Sequence, residues 1–130
     1  MNRVESETLS GRRSFLDVGA HLGETLAEVV KPAWAFDVVV AFEPSKRNLP
    51  ALEPFASERV SIVDAGWWTC DTELDLHDPG AIGASVHGGK ALGTTVERCR
   101  FVDKNDWLER NRVRQTLYPL KSRLRPQRAR

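Results

Sequence analysis

The stretch Phe15-Leu16-Asp17-Val18-Gly19-Ala20-His21-Leu22-Gly23 decides the fold. Its first four residues form a short apolar run broken only by Asp17 and closed by glycine, as in a strand buried within a parallel sheet. From Leu22 the period changes. Leu22, Leu26, Val29 and Val30 recur at helical spacing, and Pro32 marks the stop. Working outward, Val38-Val39-Val40-Ala41-Phe42 opens with three consecutive β-branched residues and reads as a second strand, ended by Glu43-Pro44-Ser45. A helix follows from near Asn48 to Ala56, with Asn48 as its N-cap. Pro50 suits its first turn, whereas Pro54 lies further in and kinks or shortens it. Val60 to Ala65 is a third strand. Strand, helix, strand, helix, strand with short connections implies a parallel sheet, one half of a doubly wound α/β fold.

Beyond Ala65 the character changes. Trp67-Trp68 and the alternating Glu73-Leu74-Asp75-Leu76-His77 read as edge β-structure, and in a strand the Trp67-Trp68 doublet must point to opposite faces. Asp78 to Gly93 carries glycine at 80, 83, 88, 89 and 93 and reads as a flexible loop. Val96 to Val102 alternates as another strand. Asp103 then caps a short helix bearing Trp107 and Leu108, with Asp106 in its first turn.

At 130 residues the chain fits one domain, and 41% hydrophobic with 28% charged residues is an ordinary globular composition. No run approaches the about 18 apolar residues of a membrane span. The opening residues mix acids with bases and lack an apolar segment, so no secretory signal is expected. Cys70 and Cys99 form no disulfide framework, and no Cys/His cluster has zinc-ligand spacing, so no metal is expected. Two reduced thiols in a cytoplasmic protein is the plain expectation. The net charge of +1 hides an asymmetry: residues 112–130 hold six Arg and Lys121 with no acid, which leaves the rest at −6. This tail, with two prolines and little apolar content, reads as disordered. The expected division is an N-terminal extension (1–13), a domain (14–111) and a basic tail (112–130).

The chemistry concentrates at strand ends. Asp17-Val18-Gly19-Ala20-His21-Leu22-Gly23 is a D-x-G-x-x-x-G turn: Gly19 permits a sharp bend and close ligand approach, and Gly23 lets the helix start near the sheet. Asp17 lies at the carboxyl edge, where open α/β sheets bind ligands at a topological switch point. Glu43 ends the second strand 20 residues after Gly23, placed to accept hydrogen bonds from both hydroxyls of a ribose. Asp64-Ala65 ends the third strand, where an adenine edge could lie. Singly, a glycine turn is often a tight connection and an acid after a strand is often solvated. Together they favour a nucleoside. The G-x-G-x-x-G of dinucleotide sites is lacking, so a ligand with ribose and adenine but no phosphate fits better, S-adenosylmethionine being the common one.

The segments Phe15 to Leu26, Ala41-Phe42-Glu43-Pro44-Ser45, Ala65-Gly66-Trp67 and Asp103 with Trp107-Leu108 together resemble the FkbM family of S-adenosylmethionine-dependent methyltransferases, from about Phe15 to Asn111. The resemblance implies a Rossmann-like class I methyltransferase fold, here an incomplete parallel sheet with an added β-hairpin. It implies that Asp17, Gly19, Ala20 and Gly23 line the methionine and ribose side of the cofactor, that Glu43 holds the ribose, and that Asp64 and Ala65 lie near the adenine. His21 stands where similar proteins often have Asn. The implied reaction is O-methylation of a small molecule or sugar, with the catalytic base unassigned. The resemblance breaks off after Trp107-Leu108, where members continue into a further apolar strand with an acidic segment. A truncated or frameshifted product, which leaves the first strand with an unpaired edge, an uncovered apolar face and a tendency to self-associate, is therefore expected. The alternative function is a non-catalytic nucleoside-binding remnant or a truncated inactive fragment.

The remaining candidates have plain readings. His77 and His87 are expected to be solvated, and Trp67, Trp68 and Trp107 to pack against the sheet rather than stack on a ligand. Lys90 lies among loop glycines that form either a substrate lid or a disordered loop. The basic tail lacks the aromatic interleaving of a single-strand binder, so neither nucleic acid nor membrane is the expected partner.

Overall fold

A computed structural model describes residues 12–77 and 95–112. Most of the N-terminal extension, His87, Lys90 and nearly all of the basic tail lie outside the described residues. The run of valines between Phe36 and Phe42 sets the frame. It forms β2 (Val38–Phe42), all five residues of which are buried, between β1 (Ser14–Val18) and β3 (Val60–Val63). The sheet is parallel in the order β1-β2-β3, with Ser14 opposite Val38, Val18 opposite Phe42, and Phe42 opposite Val63. The order does not reverse among the described residues, so the expected switch point is not found there.

Side chains alternate across this sheet and build two cores. On one face Phe15, Val39, Ala41, Val60 and Ile62 pack against α1 (Glu24–Val29) through Leu26 and Val29, and against Leu52 of α2 (Leu49–Leu52). On the other, Leu16, Val38, Val40 and Phe42 meet Trp107 and Leu108 of α3 (Lys104–Arg110). The apolar face expected to lie uncovered on β1 is therefore covered. Phe15 is 1% exposed beneath α1, and Leu16 is 8% exposed because α3 folds back over the other face, where the absence of a further apolar strand was expected to leave it uncovered. Among the described residues no strand pairs with the outer edge of β1.

Three local expectations are corrected. The helix over 48–56 is split into α2 and a 3₁₀ turn at Glu53–Phe55, because Pro54 lacks an N–H and crowds the preceding turn. Asn48 stands before α2, but its backbone is already helical and its side chain makes no capping bond, which needs an extended residue. Leu22 is 50% exposed and precedes the helix, so Leu26 and Val29 alone carry the buried face of α1.

The third strand stops at Val63 rather than Ala65. The chain bends at Asp64, the Ala65 N–H donates to the Val63 carbonyl (2.9 Å), and a second sheet begins. Its order is β4-β6-β5, with β6 (Val96–Asp103) in the middle. β4 (Gly66–Trp68) pairs with it in parallel, and β5 (Thr72–His77) antiparallel, as the expected hairpin pairing requires. Trp67 turns toward Phe42 and Trp107, and Trp68 toward Phe101, the opposed orientation that the strand reading demanded. Asp103 caps α3 by accepting from the Asp106 N–H (3.0 Å). No helix among the described residues is long and apolar enough to cross a membrane.

Gly66 lies opposite Phe101, and a Cβ there would run into the Phe101 ring. Gly66→Ala is expected to destabilise the fold by about 1–3 kcal/mol, the scale of an overpacked core. Trimming the ring in a Gly66→Ala/Phe101→Leu double variant should recover part of that loss. Urea unfolding checks both, and equal loss in the single and double variants would refute the contact.

Candidate functional site at the carboxyl end of the parallel sheet

The turn after β1 is built from alternating backbone signs. Gly19, His21 and Gly23 have positive φ (77°, 55° and 93°). The two glycines do different work. A Cβ on Gly19 would meet nothing within 4 Å among the described residues, so its positive φ alone calls for glycine and the space above it is open. A Cβ on Gly23 would come within 2.7 Å of the Phe55 ring, so this residue seats the start of α1 against the 3₁₀ turn after α2. Its expected closeness is to a neighbouring helical segment rather than to the sheet.

Every backbone N–H from Gly19 to Gly23 is engaged within the chain. Gly19 and Ala20 both donate to the Phe42 carbonyl (2.9 Å each), and Gly23 donates to the Ala20 carbonyl (2.9 Å). His21 donates to Glu43 Oε1 (2.8 Å) and Leu22 to Glu24 Oε1 (2.9 Å). A pyrophosphate cradle needs such amides turned toward the ligand. Here they close the turn instead.

Glu43 is 5% exposed at the end of β2. One carboxylate oxygen takes the His21 N–H, and the other takes the Ser45 N–H (2.9 Å). A carboxylate offers about four acceptor positions, so the two backbone donors leave it capacity for two more. Asp17 is fully buried on the same face as Phe15. Ala20 turns its methyl into the core and offers the site only backbone. Asp64 is half-buried beside Ala65, whose side chain is in the second core. The structure thus brings Asp17, Gly19, Ala20, His21, Gly23 and Glu43 together at adjoining strand ends, with Asp64 and Ala65 at the end of β3.

His21 Nδ1 lies 2.9 Å from Glu24 Oε2, and this hydrogen bond holds the Glu24 carboxyl below its ordinary pKa. His77 lies opposite Val96 in the β5–β6 ladder. Trp107, buried, and Trp67, half-buried, pack edge-on to Phe42 and tilted to each other. Among the described residues no group of three His, Cys, Asp or Glu could hold a metal ion.

Sequence reasoning missed two members of the site. Glu24 was detectable, since an acid in the first turn of a helix favours its N-terminus. Glu97 was not. It takes the Ser45 hydroxyl on Oε2 (2.9 Å) and the Lys46 N–H on Oε1 (2.7 Å) from about fifty residues away, and within β6 it looks like one more alternating polar residue. Compared with protein-family models, with curated proteins and with solved structures, the chain matches none.

Burial first, and then the nearby Glu97 and Glu43 carboxylates, push the Cys99 thiol up to about 12. It therefore stays protonated until the pH nears that value. Cys70 is exposed. With iodoacetamide near pH 8, the folded protein should be modified at Cys70 alone, and Cys99 should react only after unfolding. Peptide mass spectrometry checks this, and equal rates at both thiols would contradict the burial of Cys99.

Proposed function

We propose that this chain is the cofactor-binding core of an S-adenosylmethionine-dependent methyltransferase with a Rossmann-like class I fold, similar to the FkbM family, which methylates a hydroxyl oxygen of a small molecule or sugar. One observation carries the reading. A buried carboxylate with spare acceptor capacity, Glu43, stands beside a glycine turn whose amides are all engaged. That combination suits a ligand with a ribose diol and disfavours one with a pyrophosphate. The oxygen as acceptor atom comes from the family resemblance alone.

The residues divide the cofactor between them. Glu43 accepts from the ribose hydroxyls. Gly19 gives the backbone close approach, and Asp17 with the Ala20-His21 backbone bounds the methionine side. The Ala65 amide is engaged with Val63, so recognition of the adenine edge falls to Asp64. When bound, the cofactor supplies a methyl group already activated on a sulfonium. The protein's share is to hold the acceptor oxygen in line, exclude water and provide for its proton. Nucleoside binding without turnover is the second reading. The observation that favours it is that Glu24, Glu43 and Glu97 are each already tied to backbone amides.

Titration calorimetry with S-adenosylhomocysteine tests the site. Glu43→Ala should weaken binding by about 1.5–3 kcal/mol for each charged hydrogen bond lost. Gly19→Val should abolish it, because a β-branched residue is strained at φ 77° and fills the open space. Unchanged affinity in a folded Glu43→Ala variant would remove Glu43 from the site. Binding without methyl transfer to any hydroxyl acceptor would favour the second reading.

A further inference from the structure

The bonds around Ser45 form a chain that ends on the turn after β1. Glu97 Oε2 takes the Ser45 hydroxyl (2.9 Å) and Glu97 Oε1 the Lys46 N–H (2.7 Å). The Ser45 N–H in turn donates to Glu43 Oε2 (2.9 Å), and Glu43 Oε1 takes the His21 N–H (2.8 Å). Ser45 is fully buried, so its hydroxyl needs a partner, and Glu97 is that partner. Pro44, which separates Glu43 from Ser45, has no N–H to contribute and a fixed φ, so Ser45 offers the first amide beyond Glu43. The position of the Ser45 amide therefore fixes one oxygen of Glu43, and Glu97 fixes Ser45.

We infer that Glu97, on the central strand of the second sheet, is a positioning residue for the Glu43 carboxylate, and through it for the ribose-binding geometry of the turn at Gly19–Gly23. The inference rests on the nucleoside reading for its ligand. The relay itself stands on the four hydrogen bonds. The two carboxylates do not meet. Ser45 bridges them, its amide donating to Glu43 and its hydroxyl to Glu97. Supporting groups of this kind hold a ligating side chain within the narrow tolerance that binding requires.

The test uses the full chain and two readouts. The first is the backbone amide resonance of His21 without ligand, a group that touches Glu43 and not Glu97. The second is calorimetric affinity for S-adenosylhomocysteine. Glu97→Ala should shift the His21 amide and weaken binding about tenfold, the lower end of the effect of removing an outer supporting residue. Glu97→Gln can accept the Lys46 N–H on its oxygen and donate its NH2 to the Ser45 hydroxyl, and should restore most of both. A purely local tie would move only the Ser45 and Lys46 amides. If Glu97→Ala fails to fold, Ser45→Ala, which removes the hydroxyl and keeps the amide on Glu43, should give the same His21 shift. An unmoved His21 amide in a folded variant overturns the inference, as does unchanged affinity where the parent chain binds. A parent chain that takes up no S-adenosylhomocysteine defeats the methyltransferase reading, and the His21 resonance still decides whether the relay exists.

Discussion

Two adjacent residues at the end of β2 hold the turn that follows β1. The Phe42 carbonyl takes the amides of Gly19 and Ala20, and the Glu43 carboxylate takes those of His21 and Ser45. A hydrogen bond to a charged group contributes about 1.5–3 kcal/mol, and more is at stake when the charge is buried and would otherwise lack partners. The turn after β1 is tied to β2 more firmly than its short sequence would allow alone. Its positive-φ residues, including the non-glycine His21, are tolerated because the bonds to β2 over-determine the path.

The same end of β2 joins the two sheets. Phe42 lies 5.2 Å from the Trp67 ring of β4 and 4.9 Å from the Trp107 ring of α3, edge-on to each. These contacts place the second sheet and the last described helix on the face opposite α1. Phe42 therefore serves both layers, with its carbonyl on the turn and its ring in the core. The Glu97 relay adds a polar connection to this apolar one.

The parallel strands, the glycine turn and the grouping of Asp17, His21 and Glu43 were legible in the sequence because their signals are local. Three consecutive valines, a positive-φ glycine and an acid at a strand end need no knowledge of distant residues. The capping of α3 by Asp103 was readable for the same reason. What could not be read depends on tertiary neighbours. Asn48 has the composition of a cap, but its backbone is already helical and its side chain makes no capping bond. The cover on Leu16 comes from α3, almost a hundred residues away. Gly66 looked like part of a family-like segment, and its constraint is the Phe101 ring on a strand paired only in three dimensions. Glu97 gave no sign in its own segment.

The ring cluster beneath Glu43 also has an optical consequence. Trp67 and Trp107 lie 6.3 Å apart, centroid to centroid, and both touch the residue that precedes the candidate ribose-binding carboxylate. Indoles at that range couple electronically, and their emission and near-ultraviolet dichroism depend on mutual orientation. The chain therefore carries an intrinsic chromophore pair at the foot of its site, and occupancy that strains the end of β2 would be visible as a spectral change without any attached label.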